Sequence, residues 1–161
     1  MGWTSKVDTS VPERPVTVRM EDGTAVMENG ILAIRINDRG EIVSCTDARN
    51  RSRISAPANV LEMYKDVPRQ FEAWDLGSTY ESCPVPLNGT GCLEIIESTP
   101  WKCTVLVKRM ISRSPVEQRI SMTTGSARVD IATQIDWHEQ HRVLKAAFPT
   151  GIRAEDRKSV V

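Results

Sequence analysis

Residues 31–46 read ILAIRINDRGEIVSCT, two short apolar runs on either side of a polar turn. In the first run Ile34 and Ile36 alternate around an arginine, a period of two that places one side of a β-strand against a core. Asp38-Arg39-Gly40 supplies a compact turn with a glycine where the backbone needs a positive φ. The stretch therefore predicts an antiparallel hairpin whose strands are residues 31–37 and 41–46.

The same period of two recurs elsewhere in the chain. Residues 129–137 alternate most regularly, and we expect their apolar face, which ends at Trp137, to pack in the core. Trp137→Ala is therefore expected to cost about 3–5 kcal/mol of folding free energy. Further strands are predicted at residues 16–20, 59–64, 93–97, 102–111, 118–122 and 143–148.

Helical patterns are scarce, since no stretch of eleven or more residues keeps helical spacing between capping residues. Many short strands without helices predict an antiparallel β-sandwich. We assign residues 1–15 to a polar tail or linker, 16–154 to the sandwich and 155–161 to a charged tail. That last segment has neither a turn nor a closing strand, so we expect a fragment of a larger domain.

Composition narrows the classes of function. The chain has 161 residues, 40% of them hydrophobic, which predicts one domain with its own core. Twenty-one basic and twenty-one acidic residues cancel, which argues against a general binder of nucleic acid or anionic membranes. The N-terminus lacks the apolar run of a secretory signal, and the four cysteines are irregularly spaced, so we expect reduced thiols and a cytoplasmic protein.

Both histidines of the chain lie in Asp136-Trp137-His138-Glu139-Gln140-His141. Zinc proteases instead use His-Glu-x-x-His, which places histidines four apart on one face of a helix. Here the two are three apart at a strand end, where their side chains point to opposite faces. His138 and His141 are therefore weak metal candidates, and a hydrogen-bonded pair at a strand end is the simpler interpretation.

A second cluster combines carboxylates with aromatic rings. Rings stack on the faces of sugars and carboxylates accept hydrogen bonds from hydroxyls, so Trp74, Asp75 and Tyr80 are candidates to face a carbohydrate. Two carboxylates could also act as the acid and nucleophile of a glycosidase, given the right separation. Packing or loop tethering is the simpler role for the cluster, which contains Asp66, Glu72, Trp74, Asp75, Tyr80 and Glu81.

Other motifs of catalysis are missing from the sequence. It contains no Gly-x-Ser-x-Gly nucleophile elbow, no Gly-x-Gly-x-x-Gly loop and no Walker lysine loop. On residue chemistry alone the chain offers no catalytic apparatus.

Three blocks of sequence stand in order along the chain. The first joins Asn29-Gly30-Ile31-Leu32 to residues 38–44, DRGEIVS, and the second joins residues 59–68, NVLEMYKDVP, to residues 71–76, FEAWDL. The third begins at Arg128-Val129-Asp130 and ends in residues 135–149, IDWHEQHRVLKAAFP. Together, from about residue 27 to 153, they resemble the C-terminal β-region of family 38 glycoside hydrolases, the α-mannosidases.

The resemblance implies a supersandwich, galactose mutarotase-like fold and retaining hydrolysis of α-mannosides by the parent enzyme. In that family an N-terminal α/β barrel supplies the aspartate nucleophile and the zinc site. None of the barrel motifs is present here, so no catalytic residue and no metal ligand is carried over. We expect a chain that is inactive alone, supports the barrel and walls the sugar cleft, with zinc held in the missing catalytic domain.

The expected partners are that catalytic domain and the mannoside substrate. An unpaired strand edge would favour pairing with a second copy of the chain, but such an edge is a general feature of open sheets rather than evidence for a dimer. Two alternatives stay open. A freestanding carbohydrate-binding module would stack sugars on Trp74 and Tyr80 and lose mannoside binding on Trp74→Ala. A metal-dependent hydrolase would hold zinc that His141→Ala removes.

Overall fold

The computed structural model describes residues 11–66 and 80–150, which form eleven β-strands in three antiparallel sheets. The first sheet has the order β1-β2-β3-β4, with strands Thr17–Glu21, Thr24–Glu28, Leu32–Ile36 and Ile42–Asp47. The second has the order β10-β9-β8-β7, where β7 is Cys92–Ser98, β8 Lys102–Ile111, β9 Ser114–Thr123 and β10 Val129–Ile135. The third has the order β11-β5-β6, where β5 is Val60–Lys65, β6 Pro84–Val85 and β11 Arg142–Ala147. The predicted β-sandwich is confirmed, and the described residues contain no α-helix.

The predicted hairpin is formed by β3 and β4. Asn37 closes its turn: the backbone carbonyl accepts a hydrogen bond from the Gly40 amide at 3.0 Å, and the side-chain oxygen accepts one from the Glu41 amide at 2.9 Å. Gly40 has a φ of 79°, and a Cβ there would lie 2.6 Å from Gln118 Oε1. Glycine is thus needed at this position both for the backbone angle and for space.

The main core lies between the first and second sheets. Ile34 and Ile36 from β3 meet Val105 from β8 and Ile120 from β9, and all four are 0% exposed. Burying each such side chain contributes about 1.5–3 kcal/mol relative to leaving it in water. The rest of this core consists of Val16, Ala25, Met27, Ile42, Ala58, Cys103, Val107 and Met122.

The third sheet covers a different part of the second one. Leu61 of β5 packs against Ile111, at the end of β8, and Val116, near the start of β9. Partly buried Ile135 and Leu144 extend this smaller cluster. The first sheet meets residues 103–107 of β8 instead, so the two sheets share one face of the second sheet between them.

A buried asparagine ties the first sheet to the second. Asn29 is 0% exposed, and its amide nitrogen donates to the carbonyls of Thr123 and Ser126, both at 2.8 Å. Its side-chain oxygen accepts from the amides of Ile31 at 3.1 Å and Leu32 at 3.0 Å. All hydrogen-bonding capacity of the buried amide is therefore used, as a buried polar group requires.

A second buried polar bridge joins all three sheets. Asn59, just before β5, donates to the carbonyl of Gly40 at 2.8 Å and to Gln118 Oε1 at 3.2 Å. Gln118, in β9, donates in turn to Asn59 Oδ1 at 3.3 Å and to Thr133 Oγ1 at 3.0 Å. Asn59 and Gln118 are 2% and 1% exposed, so bulk water does not compete for these bonds.

The expected burial of Trp137 is wrong. The strand β10 ends at Ile135, and Trp137 is 39% exposed. Among the strands that the structure describes, β10 pairs with β9 alone. Beyond β10 the chain turns towards the β8–β9 connection, where the Asp136 amide donates to the Pro115 carbonyl at 3.0 Å. Continued alternation in the sequence therefore does not mean a continued strand.

The strand β2 was not predicted, because its residues do not alternate. Ala25, Val26 and Met27 are consecutive apolar residues, and all three are buried. Successive side chains of a strand point to opposite faces of the sheet, so three buried residues in a row mean that both faces of β2 are covered, and such a strand reads as a continuous apolar run.

Within the described ranges, no helix is long and apolar enough to cross a membrane. The limits proposed for the tail, the sandwich and the charged end stay predictions. Residues 1–10, 67–79 and 151–161 lie outside the described residues.

Candidate functional site

Tyr80 lies at the centre of the most developed polar cluster on the third sheet. It opens a 3-10 turn, Tyr80–Ser82, that leads directly into β6. Its ring meets the ring of Tyr64, on β5, edge to face, with centroids 5.5 Å apart and an interplanar angle of 89°. Because aromatic pairs favour this arrangement, each ring holds the other in a fixed orientation beside the sheet.

Lys145, on β11, completes the cluster. Its Nζ lies 4.7 Å from the ring centroid of Tyr80 and 5.7 Å from that of Tyr64. It also donates hydrogen bonds to the Tyr80 hydroxyl and, at 3.0 Å, to Glu81 Oε1. The antiparallel register places Lys145 opposite Glu62 on β5. The long Lys145 side chain therefore reaches Tyr64, which lies two residues after Glu62 on the same face of β5. We call Tyr64, Tyr80, Glu62, Glu81 and Lys145 the tyrosine–lysine cluster.

The charges of this cluster are stabilised by one another. Hydrogen bonds to the Tyr80 hydroxyl and the Glu81 carboxylate raise the pKa of Lys145, and the bond from Lys145 lowers the pKa of Glu81. Tyr64 donates to Glu62 Oε2 at 2.8 Å, which raises the pKa of the phenol. At neutral pH the cluster therefore presents a fixed ammonium on Lys145, an ionised Glu81 and a protonated Tyr64 phenol.

This arrangement suits binding rather than proton transfer. A general acid or base works best with a pKa near the working pH, whereas the pKa values of Lys145, Glu81 and Tyr64 are all shifted in the direction that keeps their ordinary charge states. Ring faces, hydroxyls and carboxylates in a small area are the groups that orient a polyhydroxylated ligand.

Only some of the residues that the sequence proposed to face a carbohydrate lie together in the structure. Tyr80 and Glu81 lie together in the tyrosine–lysine cluster, whereas Trp74, Asp75 and Glu72 lie outside the described residues. Asp66 lies at the end of the described first range, where its amide donates to the His141 carbonyl at 2.9 Å. Its Oδ1 is buried without a hydrogen-bond partner in the described part of the chain. No contact joins Asp66 to Tyr80 or Glu81 among the described interactions.

Glu139 fixes the segment that contains both histidines. Its carboxylate accepts hydrogen bonds from the Arg113 amide at 2.8 Å, Ser114 Oγ at 3.1 Å and Ser112 Oγ at 3.2 Å. These bonds, led by the one from the Arg113 backbone, lower the pKa of Glu139. The glutamate thus clamps residues 136–141 onto the β8–β9 turn, which gives it a structural task.

The two histidines attach to different elements. His138 Nε2 lies 3.0 Å from Asp136 Oδ2, and the His138 amide donates to Ser114 Oγ at 2.9 Å. His141 has a φ of 50°, and its carbonyl is bound at the end of β5. In residues 11–66 and 80–150, no group of three or more histidines, cysteines or carboxylates is placed to hold a metal ion.

Sequence reasoning missed Tyr64 and Lys145 as members of the cluster. Both lie in predicted strands, where they read as ordinary outward-facing positions. Only the pairing of β11 with β5 brings them together, and no periodicity within one strand encodes the partner strand.

Comparison with known proteins adds a family. Residues 27–159 match the Glycosyl hydrolases family 38 C-terminal domain. Alpha-mannosidase 2C1 of Mus musculus is 27% identical over 154 residues, which cover 89% of this chain and 14% of the mouse protein. Alpha-mannosidase 2C1 of Homo sapiens gives the same identity and coverage, and Alpha-mannosidase G of Dictyostelium discoideum is 31% identical over 143 residues, covering 83% of this chain and 13% of that protein. The chain therefore spans about one seventh of the length of these relatives.

Proposed function

The chain belongs to the glycosyl hydrolase family 38 C-terminal domains, and from this membership we propose that it is a non-catalytic β-sandwich portion of an α-mannosidase. The observation that carries the proposal is the match over residues 27–159, a range that contains β3 to β11. The relatives that this chain resembles are named alpha-mannosidases, and it covers about 14% of their length. Its proposed task is to support the catalytic domain of the same protein, which lies outside these residues.

The internal bonding of the sandwich supports a scaffolding role. Asn29 joins the first and second sheets through fully used hydrogen bonds, and the pair Asn59 and Gln118 joins all three. Directional bonds in a buried setting hold layers in one alignment. A rigid support of this kind is what an active site on a neighbouring domain needs to keep its groups in place.

We further propose that the tyrosine–lysine cluster walls the sugar cleft of the complete enzyme. Tyr80 offers a ring and a hydroxyl, and Lys145 offers a charged donor beside it. Trp74 and Asp75 stay sugar-facing candidates from the sequence alone. The ligand proposed for this wall is an α-mannoside bound mainly by the catalytic domain.

We propose that zinc, which the family resemblance implies, is held by the catalytic domain of the longer protein. The described residues do not fit a resident zinc ion, because no three suitable ligands converge and His138 is engaged with Asp136. A cytoplasmic location and the pairing of two copies through an open strand edge are kept as predictions from the sequence.

The test compares α-mannosidase activity, with added zinc, in this chain and in a longer polypeptide that carries the catalytic barrel ahead of it. Activity in the longer polypeptide alone supports the scaffold proposal. Activity in the isolated chain overturns it. Tight mannoside binding by the isolated chain would instead favour a freestanding binding module.

The wall of the cleft needs its own test in the longer polypeptide. Tyr80→Ala should raise KM for an α-mannoside several-fold, because a ring and a hydrogen-bonding group are removed from the cleft. The matched control is Trp101→Ala, which removes an exposed aromatic side chain just before the first residue of β8, outside the tyrosine–lysine cluster. Equal KM values for the two variants would contradict the proposed wall and leave the scaffold role intact.

A further inference from the structure

The free side of β10 is an unprotected strand edge. Among residues 11–66 and 80–150, β10 pairs with β9 and makes no backbone hydrogen bond on its other side. Ala132, Thr133 and Gln134 are exposed one after another. Neighbouring side chains of a strand point to opposite faces, so three exposed residues in a row mean that both faces are open here as well as the edge. Unpaired amides and carbonyls along such an edge can bond to another strand.

The other outer strands of the three sheets each have a feature that discourages such pairing. The register of β7 is interrupted, and β6 is only two residues long. The free side of β4 is bridged by Ser52 and Ala58. Two charged residues each lie in β1 and β11, whereas the single charged residue of β10, Asp130, is already paired with Arg128 at 2.9 Å. Of the described strands, β10 is therefore the most open to the addition of another strand.

The hydrogen-bond pattern shows which groups of β10 point outward. The Asp136 amide donates to the Pro115 carbonyl, and the register of β10 with β9, continued by one residue, places these two residues opposite each other. In an antiparallel pair, directly opposed residues alternate between bonded and non-bonded pairs. The even-numbered residues of β10 therefore bond to β9. The amides and carbonyls that point to the free edge belong to Val129, Ile131, Thr133 and Ile135.

We propose that β10 pairs antiparallel with β10 of a second copy of this chain, about a two-fold axis at Ala132. In this register Ile131 faces Thr133 and Val129 faces Ile135 across the axis, so every outward amide and carbonyl of the strand has a partner. Val129, Ile131 and Ile135 are only partly buried, so the second strand also covers apolar surface that one copy leaves accessible. The two four-stranded sheets become one continuous sheet, and the contact closes at two copies because the same residues take part on both sides.

The charged side chains favour the same register. Arg128 of one copy faces Asp136 of the other, and their side chains are 75% and 71% exposed. Asp130 faces Gln134, so no like charges lie opposite each other. A shift of the register by one residue would set outward backbone groups against inward ones and would separate the opposite charges.

The competing occupant of this edge is a strand of the longer polypeptide, and sedimentation separates the two. The wild-type chain and the longer polypeptide that carries the catalytic barrel are each measured over a series of concentrations. Both are expected to form dimers, that of the chain with twice the 18.0 kDa mass of one copy. A chain that stays monomeric overturns the proposal, and so does a dimeric chain with a monomeric longer polypeptide, because the protein's own strand then covers the edge. Neither result depends on mannoside hydrolysis.

Cysteine cross-linking tests the register itself. Ala132 lies on the axis in a non-bonded pair, whose Cα atoms are about 4.5 Å apart, a separation that a disulfide spans. With the exposed Cys83 and Cys92 replaced by serine, Ala132→Cys should give a covalent dimer in oxidised glutathione. The matched control, Gln134→Cys, also changes an exposed residue, but its two copies lie about 13 Å apart along the paired strands, so it should stay uncross-linked. Failure of Ala132→Cys to cross-link, or equal cross-linking of both variants, contradicts the proposal.

Charge reversal provides a further readout. Arg128→Asp sets carboxylates opposite each other at both ends of the paired strands, so it should raise the Kd of the dimer several-fold. Adding Asp136→Arg restores opposite charges and should recover the wild-type Kd. A Kd that Arg128→Asp leaves unchanged, or that the double variant does not recover, contradicts the facing of these two residues.

Discussion

Replacing Asn29 by alanine tests whether directional bonds hold the layers together. The substitution removes two hydrogen bonds to the carbonyls of Thr123 and Ser126 and two from the amides of Ile31 and Leu32. Each bond contributes about 0.5–1.5 kcal/mol net. Because the site is 0% exposed, we expect Asn29→Ala to lower the free energy of unfolding by roughly 2–6 kcal/mol.

The assay is urea unfolding at neutral pH, followed by circular dichroism. Asn88→Ala is the matched control, since Asn88 is exposed and should lose no more than about 0.5 kcal/mol. A loss in Asn29→Ala as small as in the control would refute the reasoning, because it would mean that the four bonds contribute nothing over their solvated state.

Asn29→Asp sharpens the same test through pH. It keeps the acceptor that receives the two amides but places a buried carboxylate against two carbonyl oxygens, so burial and repulsion raise its pKa. A carboxyl group whose pKa is raised in the folded state destabilises the fold most when the pH is above that pKa, and the destabilisation decreases as the pH falls below it. The deficit of Asn29→Asp relative to wild type should therefore shrink as the pH falls, whereas that of Asn29→Ala should stay constant.

Three further comparisons probe other parts of the fold. Gly40→Ala should cost at least about 1 kcal/mol more than Gly125→Ala in urea unfolding. The two φ values are similar, 79° and 69°, but of the two positions only residue 40 would bring a Cβ close to another atom, Gln118 Oε1 at 2.6 Å. Equal costs would contradict the close contact with Gln118. Ile120→Ala should lower stability by about 2–5 kcal/mol and Trp137→Ala by less, since the residues are 0% and 39% exposed; the reverse order of Tm values would contradict the assigned core. Asp47→Asn tests a carboxylate whose pKa is lowered from 3.8 to about 2, first by the Arg51 amide and then by its side chain. This stabilisation is complete above the unfolded pKa of 3.8 and is lost as the pH falls through about 2. The urea midpoint of Asp47→Asn should therefore lie below that of wild type at neutral pH, and the two midpoints should meet near pH 2. A difference between the midpoints that persists near pH 2 would rule out the ionised carboxylate as its cause.

The alternation of apolar and polar residues predicted the strands that have one face buried and the other face exposed to solvent. The hairpin of β3 and β4 is the clearest example, since Ile34 and Ile36 are buried around a half-buried arginine. The alternation of apolar and polar residues did not predict the structure where the position of a segment in the fold determines its burial. β2 is covered on both faces and does not alternate, and the pattern through Trp137 continues past the last paired residue of β10.

The candidate site was only partly accessible to the sequence. Aromatic residues beside carboxylates suit sugars, so the sequence predicts a role for Tyr80, and the structure places it beside Glu81. Lys145 and Tyr64 join it only through the register of β11 with β5. The free edge of β10 could not be identified at all, because the position of a strand in its sheet depends on the order in which distant strands pair.

The hydrogen bonds of Asn29 span 94 and 97 positions of sequence, and this has a consequence for biosynthesis. The first sheet is complete at residue 47, but the strands that cover its apolar face end at residue 135. At about 5–20 residues per second, a ribosome needs on the order of ten seconds to make the intervening chain. During that interval the nascent first sheet has an uncovered apolar face, so we expect variants that slow translation between the two sheets to aggregate more.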